Sequence, residues 1–189
     1  MGSDIFKKIY AFLFDTIQTI LIAASVFLVI YIFFMRPFEV SGDSMFPTYK
    51  NGEYILTNLI SLRLSDPKQG DVVVFKAPED EDKDYIKRVI AVSGDTIMVQ
   101  DNMVYVNGKH LDESAYLSST VQTASGQGLP EGKTVTVPED SYVVMGDNRP
   151  HSSDSREWGF LPKKDLIGKS FFVYWPPGQM RVINNPFEN

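Results

Sequence analysis

The chain has 189 residues, a formal charge of −6, 43% hydrophobic residues and no cysteine. Its mild acidity offers no basic stripe to neutralise phosphates and excludes a nucleic-acid binder. The missing cysteines exclude disulfides, thiolate metal sites and a cysteine nucleophile, while the length suffices for one membrane segment and one further domain with a real core.

Residues 1–15 read as an N-terminal cytoplasmic or interfacial segment carrying Lys7, Lys8 and Asp15. From Thr16 to Met35 no residue is charged. At about 1.5 Å per residue such a run crosses a hydrocarbon core of about 30 Å. Pro37 disfavours helix at the residue before it, so the expected transmembrane anchor is 16–36. A cleaved leader has a shorter apolar stretch ending in small residues. This run closes on Phe33, Phe34 and Met35, which points to an uncleaved anchor. A buried core helix would show polar positions at helical spacing. Two lysines before the run and one arginine after it favour the N-terminus inside and residues 37–189 outside the cytoplasm.

After Pro37 the pattern turns to short alternating runs. Candidate strands are Glu53–Asn58, Asp71–Phe75, Tyr85–Val92, Thr96–Gln100, Met103–Val106, Thr134–Val137, Tyr142–Met145 and Ser170–Trp175. Turn signals separate them, including a hairpin turn at Asn107-Gly108. The expected fold is mainly β, an antiparallel-sheet or barrel-like domain behind one N-terminal transmembrane helix. Residues 112–132, rich in Ser, Thr, Gln and Gly, read as a mobile excursion.

The segment Ser41-Gly42-Asp43-Ser44-Met45-Phe46-Pro47-Thr48 puts a candidate nucleophile, Ser44, just beyond the anchor. A serine hydroxyl needs a base. The two histidines, His110 and His151, read as loop residues, so the base is sought among the lysines, and Lys87 in Asp84-Tyr85-Ile86-Lys87-Arg88-Val89 is the candidate. A free lysine has a pKa of about 10.4, so only on the order of one in two thousand is neutral at pH 7. Burial among Ile86, Val89 and Ile90 would lower it, and a drop of about 2–3 units suffices. Arg88 stays charged, and on a strand it faces away from Lys87. Met45 beside the nucleophile is a candidate for lining a small-residue pocket. Asp147, Asn148 and Asp154 lack the alternating ligands of a calcium loop, so neither a metal nor a cofactor is expected.

Together with Gly146-Asp147-Asn148-Arg149 and Ser152-Ser153-Asp154-Ser155-Arg156, these segments are similar to type I signal peptidases, membrane-bound Ser/Lys proteases, in the small single-span form of Gram-positive bacteria. The resemblance implies Ser44 as nucleophile, Lys87 as general base and Ser152 as the hydroxyl that orients the base. It implies Asp154 with Arg156 as a structural ion pair, and Arg88 with Asp147 as a second. Phe38, Val40, Tyr85 and Ile86 fall where the family builds its substrate cleft. Many relatives place a serine two residues before the nucleophile; here that residue is Gly42, so backbone N–H groups, Ser44's own first, must hold the oxyanion. Secretory preproteins cut after small residues are the implied substrates, the lipid bilayer the second partner, and a monomer the expected state. A self-cleaving repressor with the same dyad is disfavoured by the anchor and by the lack of a DNA-binding helical module. A tethered, non-enzymatic β domain would keep the fold without needing Ser44 and Lys87.

Overall fold

The computed structural model describes residues 2–188, so Met1 and Asn189, the ends of the expected 1–15 and 37–189 regions, lie outside the described residues. Helix α1 (Gly2–Phe33) runs without a break through the expected interfacial segment and the apolar run, roughly 48 Å at 1.5 Å per residue. Apolar side chains along it, such as Leu21 and Phe27, are exposed. Thr16, Thr19 and Ser25 donate to carbonyls four residues back, which satisfies their hydroxyls inside the helix. Among the described residues this is the one helix long and apolar enough to cross a bilayer.

The helix stops at Phe33, earlier than the expected Arg36. Met35 and Arg36 already belong to strand β1 (Met35–Glu39), opposite Asn58 and Thr57 of β2 (Tyr54–Asn58). Pro37 drives Arg36 to extended backbone, and that backbone finds a ladder partner at once.

After β2 come a one-turn helix α2 (Ser61–Leu64), β3 (Val72–Ala77), β4 (Asp80–Ala91), β5 (Thr96–Gln100), β6 (Met103–Val106) and β7 (Lys109–His110). Then follow β8 (Val135–Thr136), β9 (Ser141–Met145), α3 (Ser155–Trp158), β10 (Leu161–Pro162), β11 (Leu166–Trp175) and β12 (Arg181–Val182). Eight strands form one antiparallel sheet in the order β1-β2-β11-β3-β4-β9-β10, with β12 pairing β11. The smaller sheet, β7-β6-β5-β8, carries the expected turn at Asn107-Gly108 between β6 and β7.

In β3 the run Val72–Phe75 is buried on both faces, as a central strand with no polar alternation must be. One face packs with Val40, Met45, Tyr49 and Ile55; the other packs with Val89, Tyr142, Val144 and Leu161. A third cluster, around Ile90, Ile97, Val104 and Leu129, joins the two sheets. β4 is long because it serves two partners. Its residues up to Arg88 pair with β3, and from Arg88 to Ala91 it pairs with β9 across a register shift. Before Arg88 its other edge has no strand beside it among the described residues.

Residues 112–132 form almost no regular structure, but they are not an excursion. Tyr116, Thr123 and Leu129 are buried. The backbone is tied down by Thr123 N donating to Asn102 O and Gly132 N to Val99 O, both within 3.0 Å. Gly128 N donates to Arg156 O at 2.8 Å. Composition hid this, because the anchoring is done by backbone groups and by a few widely spaced side chains.

Candidate functional site

Lys87 and Arg88 leave β4 on opposite faces, as strand alternation requires. Lys87 Nζ lies 2.8 Å from Ser44 Oγ and donates to the carbonyl of Ile86 at 3.1 Å. The ring of Tyr85, on the same face, lies 5.1 Å from Nζ. Lys87 is only 3% exposed. Burial pushes its pKa down to about 8, although the nearby Asp154 and Asp147 carboxylates pull it the other way. A neutral Nζ at this distance can accept the hydroxyl proton; a charged one cannot.

Ser44 sits in the turn-rich loop between β1 and β2. Val40 N donates to Glu53 O and Gly52 N to Val40 O, both at 2.8 Å, which closes the base of the loop. The Ser44 carbonyl accepts from Asn148 N at 2.9 Å. The Asn148 side chain donates to Asp43 O at 3.0 Å. No acceptor takes the Ser44 N–H among the described residues. Gly42 has φ +92°, a conformation that a serine would adopt only with strain, and its N–H donates to Asn51 Oδ1 at 2.8 Å.

Two buried ion pairs lie beneath the loop. Arg88 meets Asp147 through Nε at 2.9 Å and Nη2 at 2.7 Å, and donates to Gly70 O at 2.8 Å. Asp147 also accepts from the Thr48 hydroxyl at 2.5 Å. Arg156 meets Asp154 through Nε at 2.8 Å and Nη2 at 2.7 Å; Asp154 in turn accepts from Gly146 N at 3.0 Å. Gly146 is the closest seam: a Cβ there would collide with the Ser44 carbonyl oxygen and the Ser152 side chain.

Two expected contacts are absent. The Ser152 hydroxyl does not bond Lys87; it is buried with no hydrogen-bond partner among the described residues, while Lys87 Nζ contacts Ser44 and Ile86. Met45 does not line a pocket. It is 1% exposed and points into the core with Val72 and Val74, since the turn after Ser44 directs it inward.

A groove of about 480 Å³ opens beside Ser44. Phe38, Val40, Tyr85 and Ile86 all line it, as do His151 and Ser153, with the buried Ile55 and Val74 at its apolar floor. Sequence reasoning missed these last four, which lie far apart along the chain. It also missed a second layer under the site. Arg88 stacks on Tyr116 with its guanidinium carbon 4.1 Å from the ring centroid. Arg149 pairs with Glu113, bonds Thr123 and donates to Gly146 O at 3.0 Å. Arg149 stood in a motif already singled out; Glu113 and Tyr116 stood in the polar stretch and gave no periodic signal.

The profile of the family "signal peptidase, peptidase S26" matches residues 13–175. Signal peptidase IB of Staphylococcus aureus is 34% identical over 186 residues, covering 91% of this chain and 96% of that protein. Signal peptidase I S of Bacillus subtilis is 37% identical over 172 residues, covering 88% and 91%. A crystal structure of a signal peptidase I from Enterococcus faecalis superposes with a TM-score of 0.47 at 29% identity, covering 56% of this chain and 97% of that one. Related from within its apolar helix to the end of β11, and over nearly the full length of these relatives, the chain belongs to the signal peptidase family, peptidase S26.

Proposed function

We propose that this protein is a membrane-anchored serine endopeptidase that removes N-terminal signal peptides from secretory preproteins, with Ser44 as nucleophile and Lys87 as general base. One observation carries the reading: a buried amine, held near pKa 8, lies 2.8 Å from a serine hydroxyl at the wall of an open groove.

Neutral Lys87 takes the Ser44 proton as Oγ attacks the scissile carbonyl. The Ser44 N–H, which has no partner among the described residues, holds the oxyanion. Lys87 then protonates the leaving amine, and water activated by the same amine releases the acyl-enzyme. The Ile86 carbonyl, 3.1 Å from Nζ, accepts from the Lys87 ammonium that forms. The substrate enters as an extended strand between the open edges at Glu39–Ser41 and Asp84–Ile86. Its small side chains face Val40, Ile86 and the apolar floor. α1 spans the bilayer from residue 16 onward with the N-terminus in the cytoplasm, and residues from 37 onward form the extracytoplasmic peptidase domain.

The full-length protein in detergent is incubated with a secretory precursor and the products are resolved by mass. The expected result is release of the leader by wild type and none by Ser44→Ala, a loss of at least about 10³-fold. Equal processing by Ser44→Ala overturns the assignment.

A further inference from the structure

Residues 176–188 continue past the stretch that the family profile matches, which ends at residue 175. They are nonetheless built into the foundation of the Ser44 loop. β12 pairs with Phe172 and Val173 of β11 and so brings Arg181 under the loop. Its guanidinium donates to both oxygens of Glu53, at 2.8 and 2.7 Å, and to the Thr48 carbonyl at 2.6 Å. Farther along, Asn185 donates to Asp71 at 2.8 Å, and Phe187 meets the ring of Tyr116 edge-on.

We infer that Arg181 is a positioning residue for the proposed reaction: it clamps the two limbs of the loop that presents Ser44 to Lys87. Thr48 is gripped from two sides, its carbonyl by Arg181 and its hydroxyl by Asp147. The same limb is wound back toward the nucleophile by Tyr49 N donating to Met45 O at 2.9 Å. Glu53 closes the other limb, accepting from Lys50 N at 3.0 Å. With both grips in place the loop has no slack, and Ser44 Oγ stays at proton-transfer distance from Lys87. A shift of about 1 Å there costs on the order of 10²-fold in rate. A simpler role competes: Arg181 could serve only to neutralise Glu53, whose side chain is 2% exposed.

The inference rests on the proposed function, and the test separates the two. Arg181→Gln alone leaves a buried carboxylate without its partner and can unfold the chain. The deciding variant is therefore Glu53→Gln with Arg181→Gln, which removes both charges along with the bond to Thr48. Arg181→Lys, which keeps the charge but not the fork, is its companion. Both are made in the full-length protein in detergent. In both, kcat on the precursor is expected to fall about tenfold or more with KM changed by less than about twofold. Amide exchange over residues 43–50 is expected to quicken about tenfold, with β3 and β4 unchanged. Exchange at the wild-type rate in that loop in the double variant overturns the inference. Because exchange needs no substrate, it tests the clamp on the loop even where wild type cuts no precursor.

Discussion

As the proposed base, Lys87 must give up its proton far more readily near neutral pH than a lysine in water does. Its pKa near 8 leaves about one molecule in ten ready at pH 7, against on the order of one in two thousand for a free lysine. With Lys87 as the base, kcat/KM should climb tenfold per pH unit below about 8 and level off above it. A pH profile flat from 6 to 9 would remove Lys87 from that role. The depressed pKa also carries a stability cost. Below pH 8 the amine is charged in both folded and unfolded chains, and the fold bears the full desolvation penalty, about 3 kcal/mol for the drop from 10.5. Between pH 8 and 10.5 the unfolded chain binds more protons, so stability rises with pH. Lys87→Met should therefore be inactive yet more stable at pH 7, by up to about 3 kcal/mol, and the gain should shrink as pH climbs from 8 to 10.5. Denaturant melts of both proteins across that range measure it; a constant difference would refute the burial argument.

At the scale of elements, the site is a seam between two loops, one after β1 and one after β9, and Gly146 is its tightest point. Gly146→Ala should push the Ser44 carbonyl and Ser152 apart and lower kcat by about 10² or more, while the β core melts nearly as before. Retention of wild-type kcat would mean that the seam yields easily. The elements themselves were largely legible in the sequence. β5 and β6 match their expected ranges residue for residue, because turn residues bracket each alternating run. β1 was not legible, since Met35-Arg36-Pro37-Phe38 merges with the apolar run and a proline discourages a strand reading. It is tolerated because β1 is an edge. The adjacency of Ser44 and Lys87 could be reasoned from chemistry, since a serine without a usable histidine needs a buried amine. Met45 could not be placed, because a turn decides whether a side chain faces groove or core. Tyr116, Glu113 and Arg181 support the site across long sequence separations, and no local pattern marks such contacts.

For the whole molecule, α1 adjoins the β body at β1, while apolar side chains along the helix, such as Leu21 and Phe27, stay exposed. A chain lacking residues 2–33 should keep its body intact. It should cut a soluble leader-derived peptide within about twofold of the full-length rate. On precursors embedded in vesicles it should lose on the order of 10²-fold or more, because anchoring holds enzyme and substrate in one thin layer. Equal rates on embedded precursors would show that the helix contributes nothing to the encounter. The chain that follows the helix is held at once, since β1 is laced to β2 along its whole length. From Phe33 to Ser44 even a fully stretched chain covers no more than roughly 40 Å. With α1 anchored in lipid as proposed, that length is a ruler: a scissile bond held farther than this from the bilayer lies out of range of Ser44.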